Sequence, residues 1–263
     1  MTDPPFFTIG DHQIEYRWWN EPSGAGSSID GPVAVFLHEG LGSIELWRDI
    51  PSRVAEATGL PVLAYSRYGY GQSTPFTEPR TVRYMHDEAL DVLPQVLEAA
   101  GINDPILVGH SDGGSISLVY TGAGAGPVRA VAVLAPHVYV ENICAAGITD
   151  IAAAAENSNM VAKLGRYHRD PEATFAGWRD IWLHPDFRAW DIREYLPTIE
   201  VPVLAMQGTA DQYATTAMLD EIERLVSGPV EIGWLEGARH MAHRDTPDEL
   251  VAALTRFIAH VTA

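Results

Sequence analysis

The chain is short of positive charge. It carries 17 Lys and Arg against 35 Asp and Glu, a formal net charge of −18 over 263 residues. Nucleic acids and anionic membranes need a basic footprint, so neither is expected as a partner. The acidic surplus reads as a solubility margin. Cysteine is nearly absent. Cys144 stands alone, which excludes an internal disulfide, and its alanine-rich surroundings make it a small apolar filler. No run approaches the roughly 18 apolar residues of a membrane span. Met1-Thr2-Asp3-Pro4-Pro5 lacks the basic and apolar parts of a signal peptide, so the expected location is cytoplasmic. Repeats and low-complexity blocks are missing. The ten histidines include no His-Glu-x-x-His or other metal spacing. No Gly-x-Gly-x-x-Gly joins a strand to a helix. Neither a metal nor another cofactor is expected.

What is present is an ordinary globular balance, 46% hydrophobic and 20% charged. From residue 33 onward, short apolar runs alternate with helical patterns. The strands read as Val33–Leu37, Pro61–Tyr65, Ile106–Val108, Val128–Leu134, Pro202–Met206 and Pro229–Leu235. Helical spacing covers Trp47–Thr58, Thr81–Ala100 and Pro247–His260. This alternation predicts an α/β fold with a doubly wound, mostly parallel sheet. Strands buried on both faces account for the unbroken Val, Leu and Ala runs. Phe6–Ile9 and Gln13–Trp19 alternate in polarity and suit an antiparallel hairpin at the edge. Residues 138–198 hold no convincing strand. They predict a helical insertion, a cap over the carboxyl ends of the strands, with 1–137 and 199–263 forming the core. Trp178, Trp182 and Trp190 fall within it.

The most informative stretch is Gly109-His110-Ser111-Asp112-Gly113. It follows an apolar run and precedes a small-residue segment that can open a helix. Strand, sharp turn and helix are the context of a nucleophile elbow. The turn lifts the Ser111 hydroxyl out of the sheet. It also leaves the Asp112 N–H at a helix N-terminus, facing any developing negative charge. A serine hydroxyl needs a base, and the base needs a third group to orient it. Asp211 leaves a strand through Gln207-Gly208-Thr209-Ala210, and His240 leaves the next through Glu236-Gly237-Ala238-Arg239.

With these motifs in order, the chain resembles the α/β-hydrolase superfamily over nearly its whole length. His38-Glu39-Gly40 is similar to the oxyanion-loop segment. Ser66-Arg67-Tyr68-Gly69-Tyr70-Gly71-Gln72-Ser73 is similar to the segment after the next strand. Gly109–Gly113 matches the elbow, Gln207–Asp211 the acid turn and Gly237–His240 the histidine turn. The resemblance implies a sheet of about eight strands with a cap between strands six and seven. It also implies Ser111 as nucleophile, His240 as base and Asp211 as orienting acid, with the Gly40 and Asp112 N–H groups as oxyanion hole. The implied activity is that of a capped serine esterase or C–C hydrolase, without cofactor, on a small ester, thioester, lactone or C–C bonded ketone. A lyase, a cofactor-free oxygenase or a non-catalytic receptor on the same scaffold is the alternative.

Two positions depart from the pattern. The family's glycine after the oxyanion-loop histidine is Glu39, expected either to pair with a base such as Arg67 or to reach the pocket. Asp112 stands where many relatives are uncharged. It caps or pairs locally, or it receives a cationic substrate group; resembling hydrolases of amino-acid esters share the Ser-Asp-Gly-Gly stretch. Glu39, Leu41, Trp178 and Trp182 are the expected substrate contacts. His243 is the rival base, and His110 is expected to pack beneath the elbow. The expected partner is a small-molecule substrate, with a homodimer left open.

Overall fold

The structure, a computed structural model, describes residues 4–23 and 25–263. Met1–Asp3, part of the stretch read for a signal peptide, lies outside the described residues. Eight strands form one sheet: β1 (Phe6–Ile9), β2 (His12–Trp19), β3 (Val33–Leu37), β4 (Val62–Tyr65), β5 (Pro105–His110), β6 (Ala130–Leu134), β7 (Val203–Gly208) and β8 (Val230–Leu235). Their order is β1-β2-β4-β3-β5-β6-β7-β8. β1 pairs antiparallel with β2, and β2 with β4; the remaining neighbours are parallel. This is the expected doubly wound, mostly parallel α/β sheet.

The helices are α1 (Ile50–Thr58), α2 (Tyr84–Asp87), α3 (Leu93–Ala100), α4 (Asp112–Gly122), α5 (Asn142–Glu156), α6 (Met160–Leu164), α7 (Pro171–Trp182), α8 (Ala217–Leu225), α9 (Ala242–Asp245) and α10 (Pro247–Thr262). Strand alternation feeds two cores. Val33, Val35 and Leu37 of β3 join residues of α3 and α4 on one face. Ala34 and Phe36 join residues of α1 and α10 on the other. Period-two geometry sends successive side chains to opposite faces, so a strand covered on both sides must be apolar throughout.

Two expected helices are corrected at their starts. Trp47 belongs to a 3₁₀ turn at Ile44–Trp47, and Arg48 breaks the path at φ 57° before α1 begins. The helix expected over Thr81–Ala100 starts at Tyr84 and widens to a π-turn at Glu88–Val92. Pro94 lies four residues past Leu90, whose carbonyl it cannot serve with an N–H, and the widened turn falls just there.

Between β6 and β7 lie α5, α6, α7 and two 3₁₀ turns, Pro185–Ala189 and Arg193–Thr198, with no strand among the described residues. An isolated bridge, Tyr139 to Asp191, closes the base of this segment. Polar ties fasten it to the sheet loops. The Thr174 hydroxyl donates to the Gly69 carbonyl at 2.7 Å. His168 accepts from the Gly71 N–H at 3.0 Å through Nδ1 and donates through Nε2 to the Leu41 carbonyl at 3.0 Å. No helix among the described residues is long and apolar enough to cross a membrane.

The order around β3 positions the site. β3 lies between β4 and β5, so the chain steps to one side for β4 and crosses back for β5. Such a reversal opens a crevice at the carboxyl ends of the strands.

Candidate active site

Ser111 sits between the end of β5 and the start of α4 with φ 52° and ψ −116°. A non-glycine residue there is strained by about 1–3 kcal/mol and persists only where its surroundings over-determine it. The surroundings do. The Ser111 N–H donates to the Leu134 carbonyl at 2.8 Å. A Cβ on Gly113 would stand 2.1 Å from the Leu37 carbonyl oxygen, and one on Gly109 would stand 2.3 Å from that of Gly113. Only glycine lets the turn close this tightly.

Three side chains predicted from separate stretches meet at this turn. Ser111 Oγ lies 3.0 Å from His240 Nε2. His240 Nδ1 lies 3.1 and 3.0 Å from the two carboxylate oxygens of Asp211. Asp211 follows β7, and His240 follows β8. Burial pushes the Asp211 carboxyl up, but His240 and the Tyr213 N–H, which donates to it at 2.8 Å, hold it below its ordinary range. Asp211 is thus a fixed acceptor for the His240 Nδ1–H, which leaves Nε2 as the acceptor facing Ser111.

Gly40 and Asp112, whose N–H groups are expected to form the oxyanion hole, lie close together. β3 and β5 pair with Leu37 opposite Gly109. Continuing that register brings Gly40 beside Asp112, and a Cβ on Gly40 would lie 3.4 Å from Asp112 Oδ1. The same Cβ would lie 2.5 Å from Trp178 Cδ1, so the indole of α7 rests on the Gly40 backbone. Asp112 opens α4, where its N–H has no carbonyl four residues back within the helix.

The Asp112 carboxylate is engaged elsewhere. It accepts from the Tyr84 hydroxyl at 2.9 Å and pairs with Arg67 at 3.5 Å; both partners of the ion pair are almost wholly buried. Arg67 donates as well to the carbonyls of Glu39 at 2.9 Å and His38 at 3.3 Å. Its guanidinium therefore ties the oxyanion loop to the elbow. This corrects one expectation: Arg67 meets the Glu39 main chain, not its carboxylate. The Glu39 side chain folds over Gly42 toward His110, with Oε2 3.6 Å from His110 Nδ1. Burial pushes the Glu39 carboxyl up, but the neighbouring His110 draws it well below the usual range.

The other histidines separate by their partners. His38 donates through Nδ1 to the Glu39 carbonyl at 2.7 Å and accepts the Arg67 N–H through Nε2 at 3.0 Å. His110 is wholly buried beneath the elbow, where Nε2 donates to the His240 carbonyl at 2.9 Å. His243, the rival base, lies 2% exposed against Trp47 and His110, and neither ring nitrogen has a partner. Burial pushes His243 down to about 3.

A cavity of about 290 Å³ opens over Ser111. Its wall includes Glu39, Leu41, Trp178 and Trp182, the four contacts expected from sequence, but not Trp190. It also includes residues that sequence reasoning missed: His137, Cys144, Ile148, Ile151, Gln212, Tyr213 and Met241. Cys144, Ile148 and Ile151 recur at helical spacing along α5, a stripe that could have been read. His137 follows β6 at the carboxyl edge of the sheet, and burial, then the nearby His240, push it down to about 3. Burial also raises the Cys144 thiol, so it lines the wall as a neutral group. Among the described residues no group of three or more His, Cys, Asp or Glu is arranged to hold a metal ion.

Comparison with known proteins bears on the family. Human monoglyceride lipase is 24% identical over 270 residues, covering 94% of this chain and 86% of the relative. Proline iminopeptidase of Lactobacillus delbrueckii subsp. lactis is 30% identical over 95 residues, covering 36% of this chain and 32% of that protein. The solved enol-lactonase from Burkholderia xenovorans LB400 superposes with a TM-score of 0.72 at 18% identity, covering 97% of this chain and 100% of that one. A family model described as the alpha/beta hydrolase family matches residues 34–253, which is most of the chain. The chain belongs to the α/β-hydrolase family and is a hydrolase.

Proposed function

We propose that the chain is a cofactor-independent serine hydrolase with Ser111 as nucleophile, His240 as base and Asp211 as orienting acid. The observation that carries this reading is the run of contacts from Ser111 Oγ to His240 Nε2 at 3.0 Å and from His240 Nδ1 to Asp211 at 3.0 Å. Ser111 attacks a substrate carbonyl while His240 takes its proton. The Gly40 and Asp112 N–H groups receive the oxyanion, and His240 returns the proton to the leaving group. Water activated by His240 then releases the acyl group.

The substrate is a small ester, thioester, lactone or C–C bonded ketone. A cavity of about 290 Å³ falls at the small end of ligand sites. Residues 138–198 act as the cap that encloses it. The wall facing Ser111 offers mainly carbon and sulfur, from Leu41, Cys144, Ile148, Ile151, Trp178 and Met241. Its carboxylates already have partners, Arg67 and Tyr84 for Asp112 and His110 beside Glu39. That pairing favours an uncharged apolar substrate over an amino-acid ester.

The test is covalent capture. A fluorophosphonate should label the native enzyme on Ser111, located by peptide mass spectrometry, and Ser111→Ala should abolish the adduct. Label on another residue would remove Ser111 from the mechanism.

A further inference from the structure

The departure at Glu39 has a structural counterpart in His110. The Glu39 side chain does not reach bulk water; the residue is 7% exposed. It lies over Gly42, where an added Cβ would stand 2.3 Å from Oε2, and this aims the carboxylate at His110. His110 has one nitrogen already committed. Nε2 faces the His240 carbonyl at 2.9 Å, and a carbonyl can only accept, so Nε2 carries a proton. Nδ1 is buried and has no hydrogen-bond partner within ordinary range. Its neighbour is Glu39 Oε2 at 3.6 Å. A bare Nδ1 would set a lone pair against a carboxylate in a water-poor pocket, which is repulsive and costly. A proton between them turns the clash into a charge-assisted contact.

Among the described residues no Lys or Arg pairs with the Glu39 carboxylate: Arg67 pairs with Asp112, and Arg48 and Arg244 act on His243. His243 packs 5.1 Å from His110, ring to ring, with both nitrogens unpartnered, and it is held neutral. Trp47 covers another side at 6.0 Å. His38 turns its nitrogens to the Glu39 carbonyl and the Arg67 N–H, and Arg67 meets the Glu39 carbonyl. His240 commits its own ring to Ser111 and Asp211.

We propose that Glu39 and His110 form a buried ionic tie that positions the hydrolase machinery by linking the oxyanion loop, the elbow and the catalytic-histidine turn. Each member is adjacent to a working group: Glu39 precedes Gly40, His110 precedes Ser111, and the carbonyl that His110 grips belongs to His240. The tie thus joins segments that leave β3, β5 and β8. Arg67 and Asp112 bind the first two of these from another direction. Glu39 and His110 touch no reacting atom; they are positioning residues. The proposal rests on the serine-hydrolase reading for its purpose, but the tie itself exists or fails without it.

Two measurements on the full chain test it. The first is nitrogen NMR of the wild-type protein labelled with ¹⁵N-histidine, His110 being assigned by its loss in His110→Gln. Both His110 nitrogens should carry protons in the wild type, and Glu39→Gln should return Nδ1 to a bare nitrogen. A bare Nδ1 in the wild type overturns the tie, whatever the enzyme hydrolyses. The second is the rate of fluorophosphonate labelling of Ser111 in wild type, Glu39→Gln, His110→Gln and the double variant, each checked for an intact thermal transition. Small displacements of catalytic groups cost up to about a hundredfold, so each single variant should label about tenfold or more slowly. The double variant should fall within about twofold of the slower single, because both remove one contact. Multiplying effects, or wild-type labelling by Glu39→Gln, would overturn the positioning role. Failure of the wild type to label at Ser111 would instead count against the hydrolase reading, and the NMR result would still decide the tie.

Discussion

The sheet ends and the helical segment 138–198 contribute unlike things to one cavity. The loops after β3, β5, β7 and β8 bring nearly every polar group, and each is held by a specific partner: Ser111 and Asp211 by His240, Asp112 by Tyr84, the oxyanion loop by Arg67. The inserted segment brings a wall of carbon and sulfur from Cys144, Ile148, Ile151, Trp178 and Trp182. Its own polar ties run from Thr174 to the Gly69 carbonyl and from His168 to the carbonyl of Leu41, and neither reaches Ser111, His240 or Asp211. On the proposed mechanism, chemistry and selectivity fall to separate parts of the chain. Changes in the first part should act on kcat, and changes in the second on the choice of substrate.

The sharpest break in that division is at the base. His240→Ala should lower kcat by about 10³-fold or more on a short p-nitrophenyl ester, by comparison with other triads. His243→Ala should keep most of the activity, since its ring touches neither Ser111 nor Asp211. Steady-state kinetics on the two variants decide which histidine acts, and the opposite ranking would displace His240.

Gly40 is where the two parts touch. A Cβ there would meet Trp178 at 2.5 Å, so Gly40→Ala must move either the indole or the N–H proposed to face the oxyanion. Losing one such donor costs about 10²–10³-fold in kcat. The expected loss is about 10²-fold in kcat with little change in KM. A KM effect alone would show that the indole yields and the loop does not.

A purely selective change should come from α5. Ile148→Phe narrows the cavity without touching a hydrogen bond of the site. The ratio of kcat/KM for p-nitrophenyl butyrate over acetate should fall by about tenfold, the usual worth of a methylene or two in an apolar pocket. Equal losses on both esters would place Ile148 in the folding of the segment.

The smallest effect concerns stability. His243 and His137 are both pushed down to about 3 by burial, while in the unfolded chain each titrates near its ordinary value of about 6.5. Above that pH they are neutral in both states. As pH falls from about 6.5 toward 3, only the unfolded chain takes up these protons, so stability declines by about 1.4 kcal/mol per pH unit for each. His243→Leu should remove one such share of the slope in urea unfolding between pH 6.5 and 5. It should cost little at pH 7.5, where it also removes two unpartnered buried nitrogens. An unchanged slope would mean that His243 reaches water.

The same division governs what the sequence discloses. The strands are legible because burial on both faces forces unbroken runs such as Val33–Leu37, and the elbow because a Cβ on Gly113 or Gly109 would run into backbone at 2.1 or 2.3 Å. α4 is harder to read. Its residues from Asp112 to Tyr120 are buried all round, so no polar face marks its period. The cavity wall of α5 is hidden among alanines. The partner of Glu39 could not be read, since His110 lies 71 positions away and meets it only through the pairing of β3 with β5. The widened turn at Glu88–Val92 was not legible either, because Pro94 acts through a π-turn rather than a break.

The register of β3 against β5 also sets how the molecule opens. Val33 to Leu37 pair in parallel with Pro105 to Gly109, all wholly or almost wholly buried, and the loops bearing Gly40 and Ser111 are direct extensions of those strands. Amide protons in central strands exchange only when the whole domain opens, whereas thinly anchored helices exchange through local opening. Deuterium should therefore enter α5 and α6 long before it enters Leu37 or Gly109. The Gly40 and Asp112 N–H groups proposed as oxyanion donors extend from the slowest-exchanging strands, so the site backbone is expected to hold while the helical segment above it exchanges first.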